Sequence, residues 1–233
     1  MRNVLASLWI ITFGLVFSAR ADLTIVQHVD GAGQTGDATV KIKGDKERID
    51  APNKPTEIID GKNGEMFHLM NDRKGFIKIS ADQVKAAAET ITKFEGAQKT
   101  AGPKLVATGK KEIINGFETE EFVFEAPQYK ASFWVAKNYP DAAGILKEMQ
   151  APVSAAWKPS NMGMPDYTDF PGLPLKTVIS MGNNQMTTSI KSIKKDPINP
   201  AEFEVPKDFQ DLTKTAGPRP PATTSTSSPS ATP

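Results

Sequence analysis

Short runs of residues alternate in polarity at a period of two, and clusters of glycine, asparagine and aspartate separate them. This rhythm constrains the fold more than any other feature of the 233-residue chain. Successive side chains of a strand point to opposite faces, so alternation marks half-buried strands. Tight turn clusters between such runs join them as antiparallel hairpins. The runs are LTIVQHV (23–29), ATVKIK (38–43), KERID (46–50), TEIID (56–60), EMFHLM (65–70) and FIKIS (76–80). A second series is KLVAT (104–108), KKEII (110–114), FETEEFVFE (117–125), YKASFWVA (129–136), LPLKTVISM (173–181) and QMTTSIKSIKK (185–195). They predict a mainly β, α+β chain of about eleven or twelve short strands. No βαβ rhythm interrupts them, which argues against a parallel nucleotide-binding sheet.

Two helices break the strand series. Ser80 and Gln83 form a capping box, and Val84, Ala87, Ala88, Ile91 and Phe94 share one helical face up to Gly96. The second helix is expected to start at Pro140, with Ile145, Leu146 and Met149 as its apolar stripe and Pro152 as its stop. Residues 151–172 have no period and fit either a lid or a proline-braced crossing.

The ends differ from the body. Residues 1–21 read as a secretory signal: Arg2, an apolar stretch from Val4 to Phe17, and a small-x-small site at Ala19-Arg20-Ala21. The apolar stretch is shorter than the ~18–20 residues that span a bilayer. Residues 215–233 hold five prolines and nine Ser/Thr, and such a segment cannot offset its ordering entropy. One folded domain is expected over 22–214. The chain has no cysteine, which excludes disulfides, thiol catalysis and a lipid-modified N-terminal cysteine. With no anchor, the mature protein is expected to be soluble, in the periplasm or outside the cell. A net charge of +1 provides no field for nucleic acid.

Chemical motifs are sparse. Gly31-Ala32-Gly33-Gln34-Thr35-Gly36 fits G-x-G-x-x-G, but a strand follows instead of a helix N-terminus, so it reads as a hairpin loop. His28 and His68 lie in separate strands with no nucleophile elbow. Glu118, Glu120 and Glu121 could form an acid/base pair, but they read as a charged strand end entering a core. No enzyme, metal or cofactor is expected. Paired apolar positions remain: Ile77 and Ile79, Phe122 and Phe124, Phe133 and Val135, Leu175 and Ile179. If these sides coincide, the sheet has one apolar surface under the two helices. It is then either an ordinary filled core or a cleft able to take acyl chains.

The strand pair TGKKEIINGFETEEFVF (108–124), with ASFWVA (131–136) and LPLKTVIS (173–180), resembles a LolA-like bacterial envelope domain family of unknown function. The ending INPAEFEVPKDFQDL (198–212), with Phe203-Glu204-Val205-Pro206 and Phe209, resembles the close of LolA/LolB-like envelope proteins. The resemblance implies an incomplete antiparallel β-barrel, a strongly curved sheet with two helices covering its concave face. It also implies a cavity for a lipid or for lipoprotein acyl chains. The expected ligand-binding residues are Ile77, Ile79, Ile91, Phe122, Phe124, Phe133, Leu175 and Ile179. The expected protein is a monomer with transient membrane contact. The alternative is a non-enzymatic structural or interaction protein of the envelope with a filled core.

Overall fold

The computed structural model describes residues 22–31, 33–95, 104–126, 129–153 and 165–214, without the side chains of residue 88 and residues 91–95. The expected signal segment, the proline-rich tail and residues 154–164 of the aperiodic segment lie outside the described residues.

The first meander contains β1 (Leu23–Gly31), β2 (Gln34–Lys43), β3 (Lys46–Asp50), β4 (Thr56–Asp60), β5 (Glu65–Met70) and β6 (Gly75–Ile79). The second contains β7 (Val106–Ile114), β8 (Phe117–Ala126), β9 (Tyr129–Ala136), β10 (Leu173–Met181) and β11 (Asn184–Lys194), and β12 (Gln210–Asp211) follows. All twelve form one curved open sheet in the order β12-β6-β5-β4-β3-β2-β1-β11-β10-β9-β8-β7. The two meanders meet where β1 pairs with β11, and the sheet is not closed into a barrel. Helix α1 (Ala81–Glu95) follows β6, and α2 (Ala142–Gln150) follows β9.

Turn chemistry explains the hairpins. Asn115 and Gly116 both take positive φ, +51° and +82°, as a type I′ turn requires. At Gly31 (φ +111°) an added Cβ would lie 2.1 Å from the Gln185 carbonyl oxygen, so only glycine fits where β1 passes β11. The G-x-G-x-x-G stretch is thus the β1–β2 hairpin, with Gly31 opposite Gln34. The capping box also forms: Gln83 N–H donates to Ser80 Oγ, and Ser80 N–H to Gln83 Oε1.

Three local expectations need correction. KLVAT and KKEII are one strand, β7, because the irregularity between Ala107 and Lys111, around Gly109 at φ +77°, bends the strand without ending it. The parallel two-residue β12 beside β6 has too little sequence to show a period. Helix α2 starts at Ala142 and not at Pro140, because Asp141 is left-handed at φ +54° and ion-pairs with Lys195.

Directly paired residues in a ladder share a face. Tracing the pairs Phe122–Phe133–Thr177–Thr188–Val29 and Ile25–Val40–Ile49–Glu57–His68–Ile77 across the sheet places them all on one side. This is the helix side. Its main core joins Leu23, Ile25, Phe122, Phe124, Phe133, Leu173 and Leu175 with Ile145 and Leu146 of α2. The opposite side of β2–β5 carries Lys41, Arg48, Ile58 and Leu69, and the C-terminal segment crosses it. There the Arg48 guanidinium donates to the Glu202 carbonyl oxygen at 3.0 Å, Lys41 ion-pairs with the Glu202 carboxylate, and Phe203 is buried. Asp22 ties this segment to the sheet. Its carboxylate accepts from the Ile198 N–H at 2.7 Å and pairs with Lys43.

Candidate functional site

Helix α2 is amphipathic in two directions. Ile145 and Leu146 face the sheet and are buried. Ala143, Leu146, Lys147 and Gln150 recur at offsets of 3, 4 and 7, which places them along one stripe. That stripe, with Ala151, faces Tyr167, Thr168 and Phe170 across a cleft of about 470 Å³, within the range of small-ligand sites. The short side chains of Ala143 and Ala151 leave the space open. Tyr167 and Thr168 lie in a 3-10 turn, Tyr167–Asp169, which Asp166 caps: Asp166 N–H donates to Asp169 Oδ2 at 2.8 Å. Phe170 packs edge-on against Phe133, ring centroids 4.9 Å apart and planes at 72°. The cleft wall is therefore continuous with the aromatic core.

The sequence-derived apolar residues divide into groups. Phe122, Phe124, Phe133 and Leu175 are 1–8% exposed inside the main core. Ile179 is partly buried and packs against that core. Ile77 and Ile79 are half-buried on the same face of β6, in register with His68 and Met66. The side chain of Ile91 lies outside the described residues. None of these eight is among the residues that line the cleft beside α2. The sequence reading passed over Gln150 and Tyr167. The signal available for Gln150 was its place on the Ala143/Leu146/Lys147 stripe.

The helix side also carries ionisable groups. Glu47 is in register with Ile42 and Ile59 on that side. Burial, and then the charge of Glu57, push its carboxyl up to about 7. Burial, and then the charge of Glu47, push the Tyr167 hydroxyl up to about 12. Glu47 thus lies close enough to the cleft to act on its tyrosine. His68 Nδ1 is 3.5 Å from Glu57 Oε1. His28 instead pairs with Asp37, which also binds Lys191, so the two histidines belong to separate clusters. Among the described residues, no group of three or more His, Asp or Glu is placed to hold a metal ion.

The expected glutamate cluster separates. Glu118 pairs with Lys111 and Glu120 with Lys137. Glu121 is 7% exposed on the opposite side. Burial pushes its carboxyl up, but hydrogen bonds from Thr108, Lys110 and Ser132 outweigh that and hold it below the usual range. Near it a second hollow of about 460 Å³ opens between Val106, Thr108 and Val123, flanked by Lys104, Glu125 and Lys130. Glu125 and Lys130 pair across it, so its charges already satisfy one another.

Among the described residues, no helix is long and apolar enough to cross a membrane. The family profile described as Domain of unknown function (DUF4412) matches residues 22–209. Among functionally curated proteins, none matches the chain. Solved structures give distant likenesses. PNGF-II is 16% identical at a TM-score of 0.41, over 84% of this chain and 32% of that one, so the chain spans about a third of its length. The Mycobacterium tuberculosis lipoprotein LppX is 14% identical at 0.41, over 77% and 88%. The Pseudomonas aeruginosa MucA/MucB complex gives 10% identity at 0.43, over 82% and 58%. Likeness at this level is silent on ligand and activity.

Proposed function

The chain belongs to the DUF4412 family, whose description names no function, and we propose that it is a non-enzymatic, LolA-like envelope protein that binds a hydrophobic ligand, a lipid or lipoprotein acyl chain, in the cleft between α2 and Tyr167. One observation carries this reading. The cleft of about 470 Å³ is lined mainly by Ala143, Leu146, Ala151 and two aromatic rings, and its wall runs through Phe170 into the aromatic core. An alkyl chain laid there would bury apolar surface at about 25 cal/mol per Å². In this reading residues 1–21 are an export signal, the folded domain covers 22–214 and the ligand is met in the periplasm or outside the cell. The buried carboxylate of Asp22, held by Lys43 and the Ile198 N–H, supports a fold that begins just after the expected cleavage site. Ile77 and Ile79, half-buried on the same sheet face, would extend the binding surface.

The test has two parts. The protein is purified without detergent from its native host and its bound lipids are identified by mass spectrometry. The purified chain is then titrated with a fluorescent fatty acid. Ala143→Trp fills the cleft from an exposed helix position and should abolish uptake while leaving the fold intact. A second reading is favoured by the burial of Phe122, Phe124, Phe133 and Leu175: the core is filled, and the protein acts as a structural or interaction partner in the envelope. It predicts protein crosslinks without lipid, and no uptake of the probe.

A further inference from the structure

Among the described residues, two buried side-chain atoms have no hydrogen-bond partner, Gln150 Oε1 and Asp166 Oδ1. They sit on the two elements that form the cleft, Gln150 on the last turn of α2 and Asp166 at the cap of the Tyr167 turn. Gln150 is itself a lining residue. Buried acceptors are normally paired, and each one left alone opposes folding. Two such atoms together, beside a hollow large enough for a ligand, are what a polar group supplied from outside would satisfy. Both are oxygens, so the missing group is a hydrogen-bond donor.

Resting on the cleft as the ligand site, we propose that the ligand is a single-chain amphiphile whose first polar group donates a hydrogen bond to Gln150 Oε1. An acyl chain in amide linkage, or one bearing a hydroxyl, meets that requirement. An ester of the same chain has only acceptors and leaves Gln150 unpaired. Binding sites built around a hydrogen bond discriminate strongly against analogues that lack it, because the buried partner is then left bare. Leu146 and the aromatic rings take the chain, and the polar linkage lies toward the last turn of α2.

The experiment compares N-methyldodecanamide, methyl dodecanoate and 1-dodecanol as competitors of a fluorescent fatty acid on the full chain and on Gln150→Met. The methionine keeps the length of the side chain and removes the acceptor. The amide or the alcohol is expected to displace the probe at roughly tenfold lower concentration than the ester, and that difference should vanish in Gln150→Met. The unliganded variant should melt at or above the wild-type temperature, since it no longer buries an unpaired oxygen. Which donor wins identifies the linkage, and either supports the proposal. Equal displacement by all three, a preference for the ester, or a donor preference that survives in Gln150→Met overturns it while leaving the cleft as a hydrophobic site. Failure of every competitor and of the probe itself overturns the cleft reading as well.

Discussion

The two meanders present the same side of one sheet to the helices, yet they finish it differently. On β8–β10, Phe122, Phe133, Val135, Leu173 and Leu175 are 0–8% exposed, closed off with Phe170 and the α2 residues Ile145 and Leu146. On β3–β6, the matching positions are Glu47, Ile49, Glu57, Ile59, Met66, His68, Ile77 and Ile79, and all are half-buried. A sheet face that is aromatic throughout can be closed by packing alone. One that alternates isoleucine with glutamate and histidine has charged groups whose desolvation must be compensated. The filled half supplies stability, and the mixed half, together with the adjoining cleft, keeps surface accessible. Interior and binding surface are thus two ends of one continuous face.

Mutations at matched positions can break this contrast. Phe133→Ala in the closed half should cost about 3–5 kcal/mol, read as a fall in the urea midpoint. Ile77→Ala in the open half should cost about 1 kcal/mol, the ordinary scale for a partly exposed site. Equal losses would remove the distinction between the halves. At the edge of the closed half, Asp22→Ala leaves the Ile198 N–H and Lys43 without their partner. A loss of about 1–3 kcal/mol is expected, seen in the same unfolding experiment.

The open half should also titrate. Burial and Glu57 raise the Glu47 carboxyl from 4.5 to about 7. Between those values the folded chain holds a proton that the unfolded chain releases. Stability from this group is therefore complete below about pH 4.5, falls as the pH rises to about 7, and levels off beyond. Glu47→Gln should flatten that slope and make the variant more stable than wild type at pH 8, by about 1–3 kcal/mol. Urea midpoints from pH 5 to pH 8 check both statements. The smallest effect belongs to the Asn115–Gly116 hairpin. Asn115→Ala places a less tolerant residue at φ +51° and should cost about 1 kcal/mol, measured by thermal unfolding.

Features written in local chemistry were legible in the sequence. Asn115-Gly116, the Ser80/Gln83 box and the shared side of Phe122, Phe124 and Phe133 depend on neighbours a few residues apart, and each forms in the structure. What depends on distant partners was not legible. Glu47 sits in KERID between two basic residues and reads as solvated, because its burial comes from the sheet face and its charge partner lies on β4. Thr119 and Glu121 alternate correctly but are buried on the side away from the aromatic core, where Glu112 and Thr108 receive them. Gln150 carries no signal by itself. Its unpaired oxygen follows from the approach of the Tyr167 turn, 17 residues along the chain. Asp141 illustrates the same limit: its pairing with Lys195 sets a left-handed residue where helix propensity alone would start α2.

The central claim is that the cleft beside α2 binds an acyl chain while the aromatic half stays closed. Titration of the full chain and of Ala143→Trp with a fluorescent fatty acid, with circular dichroism to verify folding, tests it most directly. The account predicts saturable one-to-one uptake by the wild type and none by the folded Ala143→Trp variant. A folded wild type that takes up no probe, or an Ala143→Trp variant that binds as well as wild type, would contradict it.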